Sequence, residues 1–158
     1  MTRFLGTHQT RLDSKGRVSV PAAFRTALRA LRPHDTGALE IGVILRPSHQ
    51  HPCIEAWPEV TFNRLATELE RYSEISEQHE DLATALFADA YPLESDREGR
   101  IIVPEDLLAH ANITSAVAFM GIGTRFQLWE PSAAADRRVA ARLRTREQTV
   151  GSGTGSVS

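Results

Sequence analysis

The sequence predicts an α+β protein made of two tandem copies of one strand-turn-strand-helix unit. The first observation is a repeat: residues 13–21 return as residues 96–104, with five of nine aligned positions identical. The second is the alternation of apolar and polar residues after the turn, which is the period of a half-buried strand. The third is an apolar stripe at helical spacing, formed by Phe24, Leu28 and Leu31. One such unit is too small to bury its apolar surface, so we expect the copies to pack around a pseudo-two-fold axis with helices outside.

An aspartate and a glycine define the turn of each copy. Asp13 and Gly16 stand at the first and fourth positions of a type I turn, where glycine tolerates a positive φ angle. Asp96 and Gly99 take the same positions in the second copy. A strand leaves each turn and ends at a proline, which suits the first turn of a helix.

The remaining elements divide the chain into five parts. Strands are predicted at residues 4–12, 38–45, 53–57, 116–120 and 126–129, and residues 59–90 form the most helical segment. In that segment Val60, Leu65, Leu69 and Tyr72 make one apolar stripe. The predicted parts are a first repeat (7–58), a helical connector (59–89), a second repeat (90–132), a C-terminal helix (133–150) and a Gly/Ser-rich tail (151–158) that should be disordered.

The duplicated motif resembles that of a known family. Asp-Ser-Lys-Gly-Arg-Val-Ser-Val-Pro at 13–21, followed by a second Asp-x-x-Gly-Arg-x-x-Val-Pro copy at 96–104, is similar to the MraZ family. That family consists of bacterial transcription regulators in the AbrB-like (SpoVT-AbrB) swapped-hairpin superfamily, and the resemblance covers about residues 5–132. It implies an interleaved small β-barrel with flanking helices, and a DNA-contacting loop that matches Arg17 and its neighbours.

Charge is distributed unevenly along the chain. The net charge is −2, yet residues 1–32 carry seven Lys or Arg against one acid, whereas residues 33–107 carry sixteen acids against five Arg. A basic first repeat beside an acidic middle is typical of a protein with one face toward phosphates, although scattered surface charges would give similar counts.

The predicted DNA-binding residues lie around the two turns. Lys15 and Arg17 carry over by position from the family motif, and Arg11 and Arg25 are added as flanking phosphate contacts on charge alone. Arg100 ranks below them, because Glu98 replaces Lys15 in the second copy. The alternative role for both turn arginines is to pair with Asp13 and Asp96 and brace the turn.

Other kinds of site are weakly supported. A metal site could be formed by His49, His51 and Cys53, but Pro52 breaks their alternation and no second cysteine exists. The chain has no G-x-S-x-G or Gly-rich phosphate motif, so we expect no catalytic residues, no metal and no cofactor. Metal analysis of the purified protein would test an enzyme built on the 49–53 loop. Trp57 and Trp129, at equivalent strand ends, are predicted to be core residues rather than base-stacking ones.

We expect the protein to be a cytoplasmic, nucleoid-associated regulator that binds double-stranded DNA. A single cysteine fits a reducing compartment, and no apolar run suits a signal peptide or membrane span. The resemblance implies repeated short DNA sites upstream of the division and cell-wall gene cluster, and a ring-shaped homo-oligomer of eight or more subunits. No membrane or small-molecule substrate is expected. The alternative function is an antitoxin of the same superfamily or another protein-interaction module.

Overall fold

The computed structural model describes residues 3–32, 40–71 and 76–156. Its strands are β1 (Thr7–Arg11), β2 (Arg17–Ser19), β3 (Gly42–Pro47), β4 (Ile54–Trp57), β5 (Tyr91–Glu94), β6 (Arg100–Ile102), β7 (Ala116–Gly121) and β8 (Phe126–Trp129). Its α-helices are α1 (Ala22–Ala30), α2 (Glu59–Leu69), α3 (Glu77–Ala83), α4 (Glu105–His110) and α5 (Pro131–Ser156), and a π-helical segment, Thr84–Ala88, follows α3. The α+β class is therefore confirmed.

The strands of the two repeats are interleaved. Six of them form one antiparallel sheet in the order β1-β7-β8-β4-β3-β5, and β2 pairs separately with β6. The first strand of each repeat thus pairs with the other repeat, β1 with β7 and β5 with β3. The order reads the same from either edge when the repeats are exchanged, and β4 meets β8 in the middle, where Glu55 faces Gln127.

The sheet has two edges, so the expected closed barrel is not found in the part of the chain that the structure describes. Closure would require the outer strands to continue pairing with β2 and β6. Only an isolated bridge between Leu12 and Val18 joins β1 to β2, and β1 and β5 therefore remain the ends of the strand order.

The core lies where both repeats contribute side chains. Val18 and Ile101 face each other across the β2–β6 pair, and both are buried. The rings of Phe4, Phe24 and Phe126 pack together with centroids 4.9–5.4 Å apart. Apolar contact between the repeats therefore helps to stabilise the fold of each repeat.

Helix α2 differs from its predicted pattern. In α2 the buried residues are Phe62 and Leu69, whereas Val60 is 36% exposed, because Phe62 packs edge-on against Trp57 and so determines which helix face meets the sheet. Tyr72 and residues 38–39 of the predicted third strand lie outside the described residues.

The C-terminal helix differs in length. It begins at Pro131 and continues to Ser156, whereas a helix over residues 133–150 was predicted, and residues 157–158 lie outside the described part. Extending an existing helix needs no new nucleation, which allows even Gly-Ser residues to continue it. The other divisions of the chain remain predictions.

Candidate nucleic-acid interface

The first turn, residues 13–17, is shaped by the Asp13 carboxylate. Its Oδ1 accepts hydrogen bonds from the backbone N–H groups of Lys15 (2.9 Å) and Arg17 (2.8 Å), and Oδ2 accepts one from Arg17 Nε (2.7 Å). Gly16 has a φ of +79° and its N–H donates to the Asp13 carbonyl over 3.1 Å. The bonds from the Arg17 backbone and side chain lower the pKa of Asp13 below its usual value. The carboxylate therefore stays ionised and holds the turn.

The second turn, residues 96–100, repeats this geometry. Asp96 Oδ1 accepts from the N–H groups of Glu98 and Arg100, both over 2.9 Å, and Oδ2 accepts from Arg100 Nε over 2.8 Å. Gly99 has a φ of +81°. Hydrogen bonding from Arg100 lowers the pKa of Asp96 as well. Both turn arginines thus brace their own turn, which was the alternative role for them.

The two turns lie at opposite ends of the short β2–β6 pair. Val103 N–H donates to the Gly16 carbonyl over 2.9 Å, and Val20 N–H donates to the Gly99 carbonyl over 3.0 Å. With three residues paired in each strand, the turns are roughly 10 Å apart along the strands. A ligand that spans this distance could meet both.

The two turns differ in charge: residues 13–17 contain two cations and one acid, and residues 96–100 contain two cations and two acids. Arg100 Nη2 also donates to Glu98 Oε2 over 2.6 Å, so Arg100 is held by two acids; its hydrogen bond to Asp96 first, and then the charges of Asp96 and Glu98, raise the pKa of Arg100. Arg97, in the same turn, has an 87% exposed side chain, with its Nε 3.8 Å from Glu40 Oε1. Lys15 is the exposed residue at the corresponding position of the first turn. Among the described residues Arg17 pairs with Asp13 through Nε and shows no ion pair at its two terminal nitrogens. The first turn consequently keeps two cations available to a ligand.

The flanking arginines occupy different places. Arg11 is exposed at the end of β1, next to the first turn. Arg25, in α1, donates from Nη1 to the Val20 carbonyl over 2.8 Å and lies against the second turn, where a Cβ added to Gly99 would be 2.2 Å from Arg25 Cδ. The structure thus groups Arg11, Lys15 and Arg17 and separates Arg25 from them. No spacing in the sequence signals this contact between repeats, so sequence analysis missed it.

The 49–53 loop is tied into the fold. His49 Nε2 lies 2.7 Å from Arg46 Nη2 and 3.1 Å from the Ala85 carbonyl oxygen. Cys53 is fully buried, and burial raises the pKa of its thiol to about 12. Over residues 3–32, 40–71 and 76–156, no group of three or more His, Cys, Asp or Glu is placed to hold a metal ion. No helix in the same ranges is long and apolar enough to cross a membrane.

The chain matches known proteins over most of its length. The family described as "MraZ protein, putative antitoxin-like" matches residues 3–84 and 86–133. Two similar proteins, both called Transcriptional regulator MraZ, are 59% identical: that of Gluconacetobacter diazotrophicus over 93% of this chain and 90% of its own, and that of Gluconobacter oxydans over 92% and 87%. The Transcriptional regulator MraZ of Xanthobacter autotrophicus is 40% identical over 96% of this chain and 94% of its own. This similarity, together with the duplicated turn motif, shows that the chain belongs to the MraZ family.

Proposed function

We propose that this protein is a transcriptional regulator that binds double-stranded DNA in a sequence-specific way through the first turn. The observation that carries the proposal is the charge difference between two turns of the same shape. The Lys15 side chain forms no ion pair with a described residue, whereas the second turn has Glu98 bound to Arg100 at this position. The relatives' name, Transcriptional regulator MraZ, supports the same function.

The geometry of the first turn suits contact with a duplex. The Asp13–Arg17 bond fixes Arg17 through Nε, so its terminal nitrogens could donate to a phosphate or to the O6 and N7 atoms of guanine without rearrangement of the turn. Lys15 and Arg11 would add phosphate contacts, which position the protein and carry no sequence information. Arg25 would contribute through its contact with the second turn. By family resemblance, the DNA would be the repeated short sites upstream of the division and cell-wall gene cluster.

A gel shift on the DNA upstream of the protein's own coding region tests this. Arg17→Ala and Arg100→Ala remove the same bracing bond from equivalent turns, so each controls for turn stability in the other. We expect Arg17→Ala to weaken binding roughly tenfold or more, as expected for lost hydrogen bonds from a charged group, and Arg100→Ala to weaken it much less. Glu98→Lys should strengthen binding and steepen its salt dependence, because it adds a cation that can reach phosphate.

Either of two results would contradict the proposal. Full binding by Arg17→Ala would remove the first turn from the DNA face. Equal losses in Arg17→Ala and Arg100→Ala would show that the charge difference is irrelevant. A scrambled duplex of the same length serves as the control for specificity, and comparison at two salt concentrations separates phosphate contacts from base contacts.

We also propose that the protein acts as a ring-shaped homo-oligomer. One turn supplies only a few phosphate contacts, so useful affinity requires several turns on one duplex at high effective concentration. The unpaired edges β1 and β5 belong to different repeats and could serve head-to-tail closure. Light scattering at micromolar concentration should give a mass of several subunits. A monomer at every salt concentration would contradict this.

An antitoxin or another protein-interaction module is the alternative function. It is favoured by the words "antitoxin-like" in the description of the matching family. In that case, the protein should bind a protein partner through surfaces other than the first turn, and Arg17→Ala would leave that binding intact.

A further inference from the structure

A cationic cavity lies between the β3–β4 loop, the β7–β8 hairpin and α5. Its volume is about 250 Å³. The residues that carry the argument come from all three walls: Ser48, His51, Arg125, Gln127, Arg137 and Arg138. Gln127 and Ser48 are buried, Arg125 and Arg137 are half-buried, and Arg138 is exposed. It is separate from the two turns and from the proposed DNA contacts.

The positive charge of this cavity is not balanced within the described residues. Glu55, an acid in its lining, already pairs with buried Arg46. No ion pair of Arg125, Arg137 or Arg138 is found in the part of the chain that the structure describes. Arginine is charged at any physiological pH, so the cavity holds three formal positive charges.

Two local features show that the charges act in a partly dry environment. The guanidinium of Arg125 lies over the Trp57 ring, 4.6 Å from its centroid, and Arg125 Nε is buried without a hydrogen-bond partner among the described residues. Burial first, and then the charges of Arg137 and Arg144, lower the pKa of His51. Coulomb interactions are stronger where water is excluded, so an anion would bind here better than at an exposed arginine.

The cavity is remote from the first turn. The base of that turn is hydrogen-bonded to the start of β7, where Leu12 N–H donates to the Ser115 carbonyl over 3.0 Å. The cavity is lined by Met120, at the other end of β7, and by Ile122, just after that strand. Five residue steps along a strand span roughly 17 Å. A ligand in the cavity and DNA at the first turn would therefore occupy different sites.

We propose that this cavity binds a small phosphate-bearing ligand. Arginine guanidinium groups match phosphate in geometry and donate paired hydrogen bonds to it, and three positive charges favour a dianion over a monocarboxylate. Met120, Ile122 and Ala141 provide an apolar side against which a small organic group can pack. The volume of about 250 Å³ lies just below the usual range of ligand cavities, which limits the organic part to at most about the size of a nucleoside.

The test is calorimetric titration of the full chain with inorganic pyrophosphate and, separately, with adenosine 5′-monophosphate. The double variant Arg137→Gln/Arg138→Gln removes two cavity cations from the surface of α5. The matched control, Arg142→Gln/Arg146→Gln, removes the same charge from the same helix outside the cavity. We expect at least tenfold weaker binding in the cavity variant, and unchanged binding in the control and in Arg17→Ala. Tighter binding of the nucleotide would identify an organic phosphate, and tighter binding of pyrophosphate an inorganic one.

Several outcomes would overturn the proposal. They are the absence of binding of either probe at millimolar concentration, equal affinity in the cavity variant and the control, or loss of binding in Arg17→Ala. A gel shift with the upstream duplex completes the test. The cavity variant should bind that duplex as the control does, and a selective loss would show that the cavity arginines contact DNA phosphates instead. Because Lys15 and Arg17 are unchanged in the cavity variant, this result is independent of whether the first turn binds DNA.

Discussion

Arg17 shows how one side chain can brace a turn and still be available to a ligand. Its Nε is bonded to Asp13, and its backbone N–H is bonded to the same carboxylate. The two roles considered from the sequence, bracing and DNA contact, are therefore compatible. Because the pKa of Asp13 is lower in the folded protein, the brace stabilises the fold above the unfolded-state pKa and is lost as pH falls through the lowered value.

Replacing Gly16 with valine should destabilise the protein by about 1–2 kcal/mol. A Cβ at Gly16 would lie 3.4 Å from the Val103 carbonyl oxygen, an ordinary contact, so the cost comes from the φ of +79°. Thermal unfolding followed by circular dichroism measures the change, with exposed Ser14→Val as the control in the same turn. If the two variants melt together, backbone conformation at Gly16 is not what limits stability.

At the scale of the residue, local chemistry made the turns predictable. Aspartate at the first and glycine at the fourth position of each turn predicted both the turn geometry and a positive φ, which Gly16 and Gly99 have. The place of Arg25 could not be predicted, because it rests on a contact with Gly99 in the other repeat. Only the packing of α1 against the second turn creates that contact.

Among the secondary-structure elements, the β3–β4 hairpin carries a buried ion pair. Arg46 and Glu55 are direct cross-strand neighbours, and their side chains are 4% and 12% exposed. Arg46 also donates to the Ala85 carbonyl over 3.2 Å, and this bond ties the π-helical segment to the sheet. The corresponding cross-strand neighbours in β7 and β8 are Met120 and Gln127. The second repeat thus fills the same place without charge.

Glu55→Gln should lower the free energy of unfolding by about 3–5 kcal/mol, because it leaves Arg46 buried and unpaired. The double variant Arg46→Met/Glu55→Gln copies the second repeat and should recover most of that loss, since apolar packing can replace a buried ion pair. Denaturant unfolding measures both. Glu59→Gln, which removes a half-exposed partner of Arg32, is the control and should cost less than about 1 kcal/mol. A double variant no more stable than Glu55→Gln would contradict this account.

The presence of each helix and strand could be predicted better than its buried face or the residues at which it ends. Alternation and turn residues located the strands other than β5, which only the repeat implied, and β8 begins and ends where predicted. The buried face of α2 was predicted only in part: Leu69 is buried as expected, but Phe62 is buried where Val60 was expected, because its contact with Trp57 overrides the periodicity of one helix. In the structure α5 continues to Ser156, beyond its predicted end at residue 150, because low propensity does not stop a helix that is already formed.

For the whole molecule, interleaving makes each repeat depend on the other. Strand β1 pairs with β7, which follows the helical connector in the chain, and β5 pairs with β3, which precedes that connector. The repeat could be recognised from the sequence. The exchange of strand partners between the repeats could be expected only from the family resemblance, because strand pairing over such separations leaves no local signal.

Fragments 1–73 and 74–158 should therefore fail to fold separately as monomers. Each lacks the ladder partner of its first strand and half of the shared core. Size-exclusion chromatography with circular dichroism should show a cooperative thermal transition only after the fragments are mixed. The intact chain is the control, and a folded monomer of either fragment would contradict this prediction.

The pairing of Glu55 with Gln127 in the middle of the sheet shows that a duplicated chain can place different residues at equivalent positions of its two repeats. Were the two repeats separate identical chains, the residue at this central position would face its own copy, and two glutamates would meet about 5 Å apart and repel. Covalent fusion removes that constraint, because each half can vary alone. One half can then keep an acid for Arg46 while the other has an amide, just as one turn has Lys15 and the other Glu98. Joining the copies lets a nearly symmetric scaffold carry an asymmetric charge pattern that a dimer of one repeat could not encode.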